Sequence, residues 1–353
     1  AKDSESAHRV CRSRVARSAP AQILLAKSFA AAMTYADWQL LTPANIQMRR
    51  LWGWGYSVQK ILAATRPNHF DSDSLMIASD YSGEHREASH LIYCYLIVAG
   101  GARGWHSTMR RTRVALLRDG RRMCYKRLDD AVRRKALFSY LSAAADLHGC
   151  LVAIAVDKRK TWLSTQPGVA ADVQRMFNIK SSWSDHALEK MMRKVQFLSL
   201  ILSIWARHHC NVTWITDQDE FVANDARHDD ALAAVGQMAS LYTPGRSGLL
   251  RLNTTNQDPG ALDFEDLCAI PDLAAGMLSE TSSCLAEGGV WENGAQRELQ
   301  SDLSAKADHI ANWFWDDDMP LRKTLISVDM LGEQFAVRRV HRIVVDPDLP
   351  GKA

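Results

Sequence analysis

Four aspartates stand where carboxylates do chemistry. Asp80, Asp157 and Asp217 each close a short apolar run (75–79, 150–156 and 211–216), and Asp272 opens the segment 271–285. The first three runs have the length and composition of strands, and the fourth reads as a helix with Asp272 in its first turn. Carboxyl ends of parallel strands lie along one edge of a sheet, so acids far apart in sequence can converge there. Converging carboxylates repel unless cations neutralise them. Hard oxygen donors suit Mg²⁺ or Mn²⁺, and two such ions about 4 Å apart clamp the attacking water and the leaving oxygen of a phosphodiester. Each acid also has a plain structural reading: Asp80 caps a turn, and Asp157 caps or pairs with Lys158 or Arg159.

The elements that would position them follow from periodicity. Residues 75–84 and 91–99 read as a hairpin that turns on Ser82-Gly83, followed by a basic loop and a third strand over 122–126. Residues 129–148 form a helix, with Asp129 and Asp130 at its positive end and Gly149 as its stop. The run 150–156 is apolar throughout, as a strand buried on both faces requires. A long helix over 184–207 precedes the strand 211–216, a helix over 229–242 precedes a short strand over 248–253, and strands over 325–329 and 335–345 end the chain. Before residue 70 the chain reads as helical, with 21–33 rich in Ala and Leu. Thr42-Pro43 starts a helix, and Trp52 and Trp54 read as packing residues. His208-His209-Cys210 marks a helix end, and Asp316 to Asp318 a solvated turn. The organisation expected is an α/β fold of three parts: a helical extension over 1–70, a mixed sheet flanked by helices over 71–288, and an accessory region over 289–353.

Composition narrows the setting. No uncharged apolar run reaches the ~18 residues that cross a bilayer, and the seven cysteines contain no C-x-x-C pair, which fits free thiols in a reducing, cytoplasmic compartment. The net charge of +3 conceals an asymmetry. Residues 103–135 hold twelve Lys or Arg against three Asp, and 258–318 hold fourteen acids against two bases. Gathered bases are a footprint for a polyanion, or else the basic and acidic segments pack near each other.

The order of elements resembles the ribonuclease-H fold, and the local motifs resemble a bacterial domain-of-unknown-function family in that superfamily. That family has a D-E-S-G strand end, a lysine before the first long helix, a V-D-K strand end, an I-D strand end and a late A-D-L helix. The matching residues are Asp80-Tyr81-Ser82-Gly83, Lys126, Val156-Asp157-Lys158, Ile215-Thr216-Asp217 and Pro271-Asp272-Leu273, within 75–285. Tyr81 replaces the family's glutamate, and Glu84 is the nearest acid to substitute for it.

The resemblance implies a ribonuclease-H-like, two-metal nuclease acting on DNA or RNA. Asp80 would bridge two Mg²⁺ or Mn²⁺ ions, with Asp157 or Asp217 and Asp272 holding one each. Lys126 or Lys158 would steady developing charge, and Arg110, Arg111 and Arg113 would position the nucleic-acid backbone. The competing expectation is a non-catalytic nucleic-acid-binding or assembly protein on the same scaffold. On either reading the N-terminal helices offer a surface for a protein partner or a second copy.

Overall fold

The computed structural model describes residues 22–24, 53–66, 72–100, 102–161, 163, 165–207, 209–242, 248–258, 260–285 and 302–342. Its strands are β1 (Gln22–Leu24), β2 (Ser74–Ser82), β3 (His90–Ala99), β4 (Gly149–Asp157), β5 (Asn211–Thr216), β6 (Leu249–Thr254), β7 (Arg322–Leu331) and β8 (Gln334–Val340). They form one mixed sheet in the order β1-β6-β5-β2-β3-β4-β7-β8. β2 lies in its interior, parallel to β5 on one side and antiparallel to β3 on the other. β6 runs parallel to β5, β4 antiparallel to β3, and β7 parallel to β4. The carboxyl ends of β2, β4, β5, β6 and β7 therefore share one edge.

Alternation along the strands divides the core in two. Leu75 and Ile77 of β2, Tyr93 and Tyr95 of β3 and Trp214 of β5 face one side. They are covered by α1 (Gly55–Thr65), α4 (Val169–Met176), α5 (Asp185–Trp205) and α6 (Asp225–Tyr242). Ala78, Cys94 and Ile215 face the other side, under α2 (Arg103–Leu116), α3 (Ala131–Ala145), α7 (Asp263–Cys284) and α8 (Ala305–Phe314). β4 is buried along its whole length, as its apolar run requires. The caps follow local chemistry: Asp130 accepts from Val132 N–H at the start of α3, and Ser184 from Ala187 N–H at the start of α5. Among the described residues no helix is long and apolar enough to cross a membrane.

Several expectations are corrected. The basic segment after the hairpin is the helix α2; Trp105 and Met109 are buried at helical spacing beneath an arginine-rich surface. Residues 122–126 are not a strand. The chain makes a 3₁₀ turn at Tyr125–Arg127, and Tyr125 N–H donates to Asp272 on α7 instead of to a ladder. β4 is therefore the third strand of the meander. α7 starts at Asp263, eight residues before Pro271, because Asp258 takes up Leu262 N–H and Phe264 N–H and starts the helix there. Asp272 accordingly sits mid-helix, one residue after a proline that removes one ladder donor.

Of 21–33, only Gln22–Leu24 is described, and it is a strand paired with β6; the other helix expected before residue 53 and His208 lie outside the described residues. Trp54 is buried, with its indole N–H on Gln196 at 2.9 Å. β7 and β8, in the region expected to be accessory, extend the main sheet.

The charge asymmetry is partly resolved inside the fold. Arg113 is buried and donates to both carboxylate oxygens of Asp266, at 2.8 and 2.5 Å. Arg110 reaches Asp263 at 3.1 Å and Arg122 reaches Glu265 at 2.7 Å. Breaking a buried pair leaves one uncompensated charge, so Arg113→Met should lower stability by about 3–5 kcal/mol in urea unfolding. Removing the acid as well, in Arg113→Met/Asp266→Leu, should recover most of that loss.

Candidate active site

A cleft of about 840 Å³ opens at the carboxyl edge of β2 and β5, between α5 on one face of the sheet and α7 on the other. Strand order reverses at this point, because the chain leaves β2 for β3 on one side and returns to β5 on the other; such switch points are where open α/β sheets form crevices. Ser79 pairs with Thr216 in the parallel register, so Asp80 and Asp217 follow each other at the ends of adjacent strands. Both side chains fall on the α7 face, by alternation from Ala78 and Ile215. The turn after Asp80 needs glycine: Gly83 has φ +90°, and a Cβ there would strike the His90 carbonyl.

Asp80 and Asp272 meet carboxyl to carboxyl. Burial first, then the charge of Asp272, pushes Asp80 well above the usual carboxylate range, and Asp217 adds to the rise. Burial also raises Asp272, against the pull of Tyr125 N–H at 2.7 Å, the Asp80 carboxyl, the Cys124 thiol and the Lys126 charge. Both shifts have the same sign, so the pair holds a proton to higher pH than an isolated carboxyl would. Asp217 stands beside the pair, its Oδ1 accepting from the Thr255 hydroxyl at 2.5 Å and from Gln218 N–H at 2.9 Å.

Among the described residues no three His, Cys, Asp or Glu side chains form a ready-made coordination shell. Two carboxyls turned on each other and a third held aside account for that. The donor set is nonetheless all oxygen where the three acids approach, which fits a hard divalent ion better than a soft one. Around them the cleft is strongly acidic, with eight Asp or Glu against three Lys in its lining.

Lys126 lines the cleft and its charge acts on Asp272. The remaining expected positions are held apart from the three acids. Asp157 is separated from β2 by β3, about 10 Å across two strand spacings. It is held by the Arg159 guanidinium at 2.6 Å, Arg159 N–H at 2.9 Å and Met330 N–H at 3.3 Å, and it has no part in the cluster. Glu84 does not join Asp80; it pairs with Lys190 at 2.8 Å. Lys158 donates to the His85 carbonyl and ties the β2–β3 loop to β4. Arg113 is enclosed by Asp266, and Arg110 and Arg111 lie on α2, away from the cleft lining. Tyr81 points to the α5 face, the opposite side of β2 from Asp80. Its hydroxyl meets Ser79 at 2.8 Å, and the Lys194 ammonium sits 3.9 Å from its ring.

Residues that sequence reasoning missed complete the walls. Gly276 and Glu280 follow the expected Asp272 at four-residue intervals along α7, and Tyr125 lies across all three. Its N–H bonds Asp272, its ring covers Gly276, and its hydroxyl donates to Glu280 at 2.5 Å. Glu280 also accepts from Ser304 N–H at 2.6 Å, just before α8. Lys190 and Lys194 form the opposite wall, one turn apart on α5. Both patterns are visible as i, i+4 spacings, but nothing local marks which helix faces would meet.

A Cβ at residue 276 would land in the Tyr125 ring. Gly276→Ala should therefore cost about 1–3 kcal/mol through overpacking. In a Tyr125→Ala background the same change should turn neutral or stabilising, since Ala is preferred to Gly within helices by about 1 kcal/mol. Unfolding of the four proteins of this cycle measures the reversal. The carboxyl pair makes a second prediction. Asp80 has its folded pKa raised, so the unfolded chain releases this proton first as pH rises. The apo protein should lose stability from the ordinary carboxyl range up through the raised value. Asp80→Asn should remove that decline and melt higher than the parent at neutral pH, as read by melting temperature against pH in chelator. No protein-family model, curated protein or solved structure matches this chain.

Proposed function

We propose that the protein is a metal-dependent nuclease of ribonuclease-H-like fold that cuts DNA or RNA phosphodiesters with two Mg²⁺ or Mn²⁺ ions. The observation that carries the reading is the meeting of Asp80 and Asp272 in a half-buried pair on the cleft wall, with Asp217 beside them, at the carboxyl edge of parallel strands. The strand order supports it: a three-strand antiparallel meander, β2-β3-β4, with β5 and β6 added parallel to β2 on its other side, and a late helix that returns an acid to β2. So does the charge of the cleft, since a polyanion enters an acid-lined site only once cations have compensated it.

Divalent ions would supply activation of a water and stabilisation of the leaving oxygen. The chain's own residues set the geometry. Asp80, from the interior strand, is the acid placed to face both others; Asp217 and Asp272 approach from either side of it. Tyr125 N–H fixes the Asp272 carboxylate, and Lys126 adds a positive charge at that wall for a substrate phosphate. The six described cysteines are all free, which favours a reducing, cytoplasmic setting. With Arg113 enclosed, Arg110 and Arg111 are left on the surface of α2 as backbone contacts for a long substrate.

Calorimetric titration with Mn²⁺ tests the reading. Saturable binding is expected, lost in Asp80→Asn, and tightening as pH rises because the proton held by the pair must leave when the ion arrives. Cleavage of an oligonucleotide in Mn²⁺ should vanish in Asp80→Asn and in Asp272→Asn while both variants stay folded. Cleavage that persists in both would overturn the proposal. Absence of Mn²⁺ binding at millimolar ion would favour a non-catalytic nucleic-acid-binding or assembly protein instead.

A further inference from the structure

We propose that Lys190, at the mouth of the cleft, seats a substrate phosphate neighbouring the one that is cut, and that Glu84 and Glu220 hold this seat in the free protein until substrate displaces them. The inference rests on the nuclease reading above and assigns its substrate-positioning residue.

The two lysines of the α5 wall are held in different ways. Lys194 is fixed: its ammonium pairs with Asp219 at 2.7 Å and lies over the rings of Tyr81 at 3.9 Å and Phe221 at 4.8 Å, with its side chain 7% exposed. Lys190, one turn nearer the start of α5, has its side chain 18% exposed. Its partners are Glu84 at 2.8 Å and Glu220 at 4.0 Å, whose side chains are 64% and 59% exposed.

These two glutamates come from different loops. Glu84 follows β2 and Glu220 follows β5, the strands that carry Asp80 and Asp217 to the cleft. Lys190 therefore bridges the two loops that flank the acids, and a chain entering towards Asp80 crosses that bridge. Ion pairs to exposed carboxylates contribute little net stability. An ammonium with three rotatable donors can exchange such a partner for a phosphate oxygen without rearrangement of the helix that carries it. Lys194, walled by two rings, has no such freedom and serves to keep α5 in register with the cleft. The placement also answers the charge of the site: the carboxylates on the α7 side would hold the cations, and the ammonium at the mouth would meet the next phosphate directly.

The test uses the full chain with a short fluorescein-labelled oligodeoxythymidine, saturating Ca²⁺ and fluorescence anisotropy over a range of salt. Lys190→Met should weaken binding by roughly fivefold or more at low salt and reduce the slope of log affinity against log salt by about 0.7, the loss of one phosphate contact on a single strand. Glu84→Gln and Glu220→Gln, both at exposed positions, should tighten binding by roughly threefold, which a merely structural bridge would not do. The Mn²⁺ titration should be unchanged in Lys190→Met. Unchanged affinity and salt slope in Lys190→Met, with normal Mn²⁺ binding, would overturn the inference and leave the nuclease reading intact. A parent protein that binds neither Mn²⁺ nor the oligonucleotide would overturn both.

Discussion

Two carboxyl groups in contact, Asp80 from the end of β2 and Asp272 from the middle of α7, set the terms for the surrounding structure. Such a contact is unfavourable when both groups are charged and both are partly withdrawn from water. It persists here because the groups on either side leave little choice. Asp80 cannot retreat from a strand hydrogen-bonded on both edges. Asp272 is held by a backbone N–H from a segment inserted between β3 and β4. The rest of the fold supplies the restoring force, through a helix packed along β2 and β3 and buried for most of its length. A protein that maintains an electrostatic liability at the focus of its sheet does so at a cost in stability, and such costs concentrate at functional sites.

The parts of this arrangement that are local in sequence are legible in it. The apolar runs ending near Asp80, Asp157 and Asp217 give β2, β4 and β5 nearly to the residue, and Ser184 and Asp130 cap α5 and α3 as their residue types suggest. What is not legible is lateral order. Asp157 ends a strand just as Asp217 does, and only the interposition of β3 separates it from the cluster. The same limit hid the role of Tyr125, whose neighbours in sequence are Arg, Met, Cys and Lys and whose structural partners are about 150 residues away. Arg-rich α2 was obscured by its composition: two buried side chains, Trp105 and Met109, specify a helix beneath a surface that reads as a polyanion-binding loop.

Charge shows the same distinction between what a segment contains and where it is placed. Three bases of 103–135 and the acids at the start of α7 face each other, and their pairing joins α2 and its flanks to the helix that carries Asp272. The excess that suggests a nucleic-acid surface is thus partly an internal fastening. The cleft, by contrast, keeps an imbalance of the opposite sign, and its few lysines stand at its walls and not at its floor.

The Tyr125 ring resting on Gly276 has one more consequence. The ring occupies the volume that a side chain on the helix would need, so the two positions share a single allotment of space although the fold, not the sequence, makes them neighbours. In any lineage of this protein, bulk can be gained at 276 only as it is lost at 125, while an amide hydrogen at 125 must be kept and proline is barred there. The pair should therefore be inherited together, as a covarying couple whose small partner marks where the inserted segment docks.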